Sequence, residues 1–359
     1  MLFRSLISVG IYTLFRQRSN RGTNQIIDAV LEGQEVSPLV APTIFLATAT
    51  THLFGGSAGR EGAALQLGGA TASLLSKVFK LGENDRKILI MSGMSAVFAG
   101  LFGTPLTAAL FCMEFESVGT LFSPALLPCY IASFTAAKIS VLLGVHAEGL
   151  LLDTAATITL GNAWKFLILA VLVSLVGILM CWVFHKAEHL AAHTFKNPWI
   201  RIVIGGVVVM GLTLLVGDHR YNGAGMDMAL GAVAGNANWF DFLMKMLFTA
   251  ITLAAGFKGG EIVPSFFVGA TFGCLMGQIV GLSPSMCAAV GMICVFCGVT
   301  NSPVASLLIA LELFGMEGIY FVLIGIAVCY RLSGYCSLYE TQRIVVSKYQ
   351  SRYRHKWQE

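Results

Sequence analysis

Between residues 38 and 330 the chain is a succession of apolar runs with scarcely a charge inside them. The runs cover 38–54, 88–113, 119–145, 164–184, 202–216, 242–257, 262–282, 286–314 and 316–330. Several reach the roughly 20 residues that a helix needs to cross about 30 Å of hydrocarbon, and others are shorter or interrupted by Gly and Pro. A soluble domain typically carries about 25% charged residues, whereas this chain carries 12% against 56% hydrophobic. Such a chain has no surface to offer water, so it is expected in a bilayer, crossing it several times.

The few charges inform by position. Arg16, Arg18 and Arg21, then Lys186, Lys196 and Arg201, then Lys348, Arg352, Arg354 and Lys356 cluster at the ends of apolar runs. The positive-inside bias marks those ends as cytoplasmic. Residues 1–15 form a short apolar stretch that runs into the first cluster, the reverse order of a secretory signal. They read as a membrane helix without its upstream neighbours. No basic stripe interleaved with aromatics points to nucleic acid. The nine cysteines lie almost all inside apolar runs. Even Cys294 and Cys297, at the spacing of a redox or metal pair, sit among Val, Met and Phe and are expected to be small packing residues.

The chain also repeats itself. Gly59-Arg60-Glu61-Gly62 opens an apolar helix and is followed by Gly93, Pro105 and Glu114; Gly259-Gly260-Glu261 opens another and is followed by Gly291, Pro303 and Glu312. Twelve positions separate Gly93 from Pro105 and Gly291 from Pro303, and nine separate each Pro from its Glu. From Glu61 to Pro105 is 44 positions, and from Glu261 to Pro303 is 42. A duplicated membrane unit with Gly/Pro-broken helices at matching places marks a transporter whose site lies between the repeats. Spacing alone leaves open whether the repeats are parallel or inverted.

The two Gly-rich helix starts are the candidate site. Glycines let backbone approach a ligand closely, and a helix beginning at Glu61 or after Glu261 aims free N–H groups and a positive dipole end at that spot. Pro264 suits a first helical turn. Two such termini converging in the membrane would hold an anion without a full positive charge, which permits release as well as capture. A carboxylate at each start has two readings. It caps its own helix, or it occupies the anion's place and leaves when protonated.

At these residues the chain resembles the CLC family of chloride channels and proton-coupled anion exchangers. Gly59-Arg60-Glu61-Gly62 is similar to the family's GREGP motif, and 260–264 falls where its GxFxP motif lies. Thr104-Pro105-Leu106-Thr107-Ala108 and Asn301-Ser302-Pro303-Val304 resemble its two AP-type segments. The resemblance runs from about residue 10 to about 345. It implies an all-α polytopic membrane protein, a CLC-type inverted repeat of tilted and broken helices, with one pore per subunit of a homodimer. It implies a first repeat over 1–155, a second over 160–345 and a short cytoplasmic tail over 346–359 with no soluble regulatory domain. The family carries an amphipathic helix and a full span ahead of the position of Met1, so the first repeat is expected to be truncated.

Gly256-Phe257-Lys258-Gly259-Gly260-Glu261 through Gly273, Ser333-Gly334 and Tyr339-Glu340-Thr341-Gln342-Arg343 are most similar to the bacterial fluoride/proton antiporter subgroup. That resemblance implies Glu61 as the gating, proton-carrying glutamate, Glu261 as a second acidic residue and Tyr339 as the pore-lining tyrosine. It implies anion coordination by Thr23, Asn24, Gly59, Arg60, Gly62, Gly260, Ile262, Val263 and Tyr339, with no metal or other cofactor. Phe115 stands where chloride exchangers place an internal glutamate, as in the fluoride subgroup. Three departures bear on the ion. Thr23 restores a hydroxyl that the fluoride subgroup lacks, Val263 removes one that it often has, and Ala63 replaces a proline without favouring either halide.

Other signals point to packing. His185, His189 and His193 share one helix face and read as a polar interfacial face. Glu114 and Glu312 are expected to fix helix packing. Phe266, Phe267 and Phe272 have ring edges that could face an anion but read as core. The expected function is proton-coupled halide antiport with fluoride foremost, in a bacterial inner membrane, and the chain is not expected to be an enzyme. The alternatives are a chloride/proton exchanger or voltage-gated-type chloride channel of the same family, a membrane-embedded enzyme using Glu61 and Glu261 as a pair, and a non-conducting remnant.

Overall fold

The structure is a computed structural model that describes Gly10, Tyr12 and residues 21–145, 160–350 and 353–356. In hydrocarbon each backbone N–H and C=O must find its partner within the protein, which favours helices. The first half contributes α1 (Thr23–Glu32), α2 (Val40–Leu53), α3 (Glu61–Val78), α4 (Glu83–Phe102), α5 (Pro105–Glu114) and α6 (Leu126–Leu142). The second contributes α7 (Leu160–Thr194), α8 (Pro198–Val216), α9 (Met226–Val233), α10 (Asp241–Ala254), α11 (Ile262–Val280), α12 (Pro284–Thr300), α13 (Pro303–Phe314) and α14 (Ile319–Leu332).

The helices are broken where punctuation residues fall in the sequence. Run 88–113 divides into α4 and α5 because Gly103 takes a left-handed φ of 69° and Pro105 opens the next helix. Run 286–314 divides into α12 and α13 in the same way, with Asn301 left-handed at φ 58° and Pro303 following. Proline at a first turn loses no hydrogen bond, and a left-handed residue closes the preceding helix. Among the described residues only Ser123–Leu142, Asn162–Thr194, Pro198–Val216 and Ile262–Val280 are long and apolar enough to cross a membrane unaided. Helices α2, α5, α12, α13 and α14 are shorter and equally apolar.

Reciprocal contacts settle how the halves are related. The Glu114 carboxylate, at the end of α5, accepts the Val304 and Ala305 N–H groups at the start of α13, at 3.0 and 2.8 Å. The Glu312 carboxylate, at the end of α13, accepts the Leu106 and Thr107 N–H groups at the start of α5, both at 2.9 Å. Each helix end therefore meets the other's beginning. Such an exchange relates the halves by an approximate two-fold with α5 and α13 end to start, the arrangement expected of an inverted repeat. Both glutamates cap and pack helices, as expected from their positions.

The sequence alignment of the repeats needs a correction of one residue at the helix starts. Gly59 N–H donates to Gly260 O at 2.7 Å and Gly260 N–H donates back to Gly59 O at 2.6 Å, an antiparallel bridge. Close backbone contacts repeat with the same offset: Gly68 leaves no room for a Cβ against Gly93, and Gly269 none against Gly291. Gly59 thus corresponds to Gly260, Arg60 to Glu261, and Glu61 to Ile262. Glu61 is the first residue of α3, whereas Glu261 precedes α11.

The chain is not purely helical. Strands β1 (Ser117–Val118), β2 (Arg343–Val346) and β3 (Tyr353–Lys356) form a small sheet, β1 parallel and β3 antiparallel to β2. Strand β2, at the end of the expected second repeat, therefore pairs with the first half, and β3, in the segment expected as a short tail, pairs with β2. Gln342 fastens it further. Its Nε2 donates to Phe115 O at 2.5 Å and Thr300 O at 2.8 Å, and its Oε1 accepts from Asn301 Nδ2 at 2.8 Å.

Candidate anion-binding site

Glu61 is fully buried. Its Oε1 accepts the Arg60 N–H at 3.0 Å, at the start of α3, and its Oε2 accepts the Val263 N–H at 3.4 Å, at the start of α11. The carboxylate also lies against the Cα atoms of Gly59 and Gly260, neither of which leaves room for a Cβ. A single carboxylate is thus held by the positive ends of two helices, one from each repeat. Its oxygens stand where a small anion would stand, since the same N–H groups would serve either.

Beside this seat is a cavity of about 310 Å³, whose wall includes Thr23, Asn24, Gly62, Gly260, Glu261, Ile262 and Tyr339 from the predicted set. Thr23 Oγ1 is 2.9 Å from where a Cβ on Gly62 would be, so hydroxyl and motif backbone meet at the neck between cavity and seat. Asn24 is engaged by the Thr341 hydroxyl, which lies 3.3 Å from both its carbonyl O and its Oδ1. Tyr339 is buried, its ring edge-on to Phe115 at 5.5 Å. Gly59, Val263 and Glu61 sit behind the cavity wall. Arg60 reaches the site by its backbone alone, because its side chain is exposed.

Glu261 is half-buried and faces the cavity. Glu188 on α7 and Glu340 also line the cavity, and their charges act on Glu261. Arg21, His185 and Lys258 share the same wall. His185 therefore belongs to the cavity, which corrects its reading as part of an interfacial face; His189 and His193 are exposed, their rings 6.5 Å apart. Cys294 and Cys297 are buried, as are Phe266 and Phe267. Phe266 packs on Phe296 at 5.1 Å, and Phe272 on Phe242 at 5.0 Å, so the aromatic rings around the second motif serve as core. Among the described residues no group of three or more His, Cys, Asp or Glu converges to hold a metal.

Two further polar residues went unread in the sequence. Gln66 on α3 donates to Gly62 O at 3.1 Å and leaves its buried Oε1 without a partner at the cavity wall. Lys245 on α10 is fully buried. A lone cation inside the apolar run 242–257 was the signal that could have flagged it.

A family model described as voltage gated chloride channel matches residues 4–334. The chain belongs to the CLC family. This CLC chain is 33% identical over 351 residues to a chloride/fluoride channel protein of Pseudomonas syringae pv. tomato, covering 95% of this chain and 77% of that one. It is 26% identical over 308 residues to the H(+)/Cl(-) exchange transporter ClcA of Vibrio vulnificus, covering 77% of this chain and 63% of that one. Among solved structures it matches a CLC-type fluoride/proton antiporter with a TM-score of 0.90 at 32% identity, over 96% of this chain and 88% of that one. Membership makes it a multi-pass membrane transporter or channel, consistent with the solvent its apolar runs require.

Proposed function

We propose that this CLC chain exchanges a halide, fluoride foremost, against protons, with Glu61 as its gate. The observation that carries the reading is the seat of the Glu61 carboxylate between two helix N-termini. Charged, Glu61 fills the anion's place; protonated, it swings away and an anion enters. Alternation of the two couples the fluxes. Thr23, Asn24 and Tyr339, with the backbone of Gly59, Arg60, Gly62, Gly260, Ile262 and Val263, form the anion's path, and Glu261 is a second acidic group at the cavity. Fluoride is favoured by the chloride/fluoride relative and by the fluoride/proton antiporter whose fold this chain matches. The functional unit in this reading is a homodimer in a bacterial inner membrane, each subunit built from units 1–155 and 160–345 with the segment 346–359 following.

Chloride is the second reading, and the Thr23 hydroxyl beside Gly62 favours it. The test is flux from proteoliposomes loaded with fluoride or chloride, with internal pH recorded. Fluoride efflux that drives proton uptake, and a Glu61→Gln variant that moves anion without protons, are the expected results. Proton movement still tied to anion movement in Glu61→Gln would remove Glu61 from the gate. Chloride-only flux would reverse the choice of ion.

A further inference from the structure

Lys245 sits one face of α10 away from the candidate site. Its Nζ donates to Gly223 O at 2.8 Å and to Tyr221 O at 3.1 Å, and lies 5.4 Å from the centre of the Phe267 ring. It makes no ion pair among the described residues. The nearest carboxylate on its own helix, Asp241, is occupied elsewhere, accepting the Tyr221 hydroxyl at 2.5 Å and the Asn238 N–H at 2.8 Å. A buried ammonium held by two carbonyl dipoles and one ring face, without a carboxylate, keeps much of its desolvation cost, so it draws an anion toward it.

The surroundings direct that attraction to Glu61. Gly223 O also accepts the Ala58 N–H at 3.1 Å, and Gly223 N–H donates to Gly56 O at 2.9 Å. Thr249 and Thr252, one and two turns beyond Lys245, hold Ser57 through its hydroxyl and its N–H at 3.0 and 3.1 Å. One face of α10 thus clasps residues 56–58, which lead directly into Gly59 and Glu61. Gly223 O accepts from both Lys245 Nζ and the Ala58 N–H, so one carbonyl joins the ammonium to the loop that runs into Glu61.

We propose that Lys245 is the fixed counter-charge of the anion seat, a positioning residue whose buried ammonium keeps the seat filled by either the Glu61 carboxylate or the transported halide. The inference rests on the anion-transport reading above and deepens it. When Glu61 is protonated and leaves, Lys245 loses its compensating charge. The arriving halide restores it, whatever its radius. Lys245 therefore raises affinity for both halides alike, and choice between them is left to Thr23, Tyr339 and the motif backbone.

The test is halide titration calorimetry on the purified protein in a Glu61→Gln background, where the neutral side chain stands in for the protonated gate. Lys245→Gln keeps donors near the two carbonyls without the charge. It is expected to weaken fluoride and chloride binding by the same factor, about tenfold or more, while Lys245→Arg stays within about threefold of the parent. A Lys245→Gln protein with unchanged melting temperature and affinity within about twofold of the parent overturns the proposal. Equal losses in Lys245→Gln and Lys245→Arg, or loss of one halide alone, overturn it too, because each reports disturbed geometry. If Lys245→Gln does not fold, Lys245→Met, which fills the same length of pocket, is titrated instead. A Glu61→Gln parent that binds neither halide would bring down the anion-transport reading and this inference with it.

Discussion

In the proposed gate, Gly59 and Glu61 divide the work between them. The carboxylate can occupy the seat because Gly59 has no side chain, and the three atoms nearest a Cβ there are those of the Glu61 carboxyl group. Gly59→Ala is therefore expected to expel the carboxylate without disturbing the backbone bridge. In proteoliposomes the variant should pass halide at least as fast as the parent while moving fewer protons per anion. Coupling equal to the parent's would show that the carboxylate does not need this seat. Gly260 is a poorer probe, since a Cβ there would also collide with the amides of Glu61 and Gly62.

Helices α5 and α13 are too short to be held by propensity, and each depends on the other's carboxylate. Glu114 and Glu312 each satisfy two N–H groups that a helix start otherwise leaves orphaned. Glu114→Ala leaves one buried and one partly buried N–H group unpaired and is expected to destabilise by about 1–3 kcal/mol, read as a lowered melting temperature in detergent. Glu312→Ala is expected to cost less than Glu114→Ala, because the amides it caps are more exposed and water can replace the carboxylate. A Glu114→Ala protein that melts with the parent would mean the cap is decorative. Neither variant is expected to change proton coupling, because neither carboxylate faces the Glu61 seat.

Across the whole molecule, the returning end of the chain ties the halves together, and its stability should depend on pH. Lys348 follows β2 and packs against Asn301, Ser333 and the Tyr330 ring. Burial lowers its pKa to about 8, against about 10.4 in an unfolded chain. Between these values the unfolded state binds more protons, so this group's contribution to stability rises with pH and levels off above about 10.4. Lys348→Met is expected to raise the melting temperature at pH 7, with the advantage shrinking as pH climbs toward 10. An advantage that grows with pH would show that the ammonium is stabilising where it stands.

Much of this architecture could be read from residue order. The membrane location follows from apolar length, and the duplication from matched Gly, Pro and Glu spacings. The placement of Glu61 was legible because it rests on a local pattern, a glycine-flanked carboxylate at the first position of a helix. The breaks within α4–α5 and α12–α13 were legible for the same reason, since Gly103, Asn301 and the two prolines act on their own backbone. What residue order could not decide was anything that depends on groups distant in the chain meeting. Inversion of the repeats is carried by Glu114 reaching Val304 and Glu312 reaching Leu106. The one-residue shift that pairs Glu261 with Arg60 is set by the Gly59–Gly260 bridge. The place of Lys245 beside the Glu61 loop, the neighbourhood of Glu188 and Glu340 around Glu261, and the pairing of β2 with β1 are equally non-local. Local backbone chemistry is written in adjacent residues; register, charge neighbourhood and the closing of the site are set only when segments about 200 residues apart exchange hydrogen bonds.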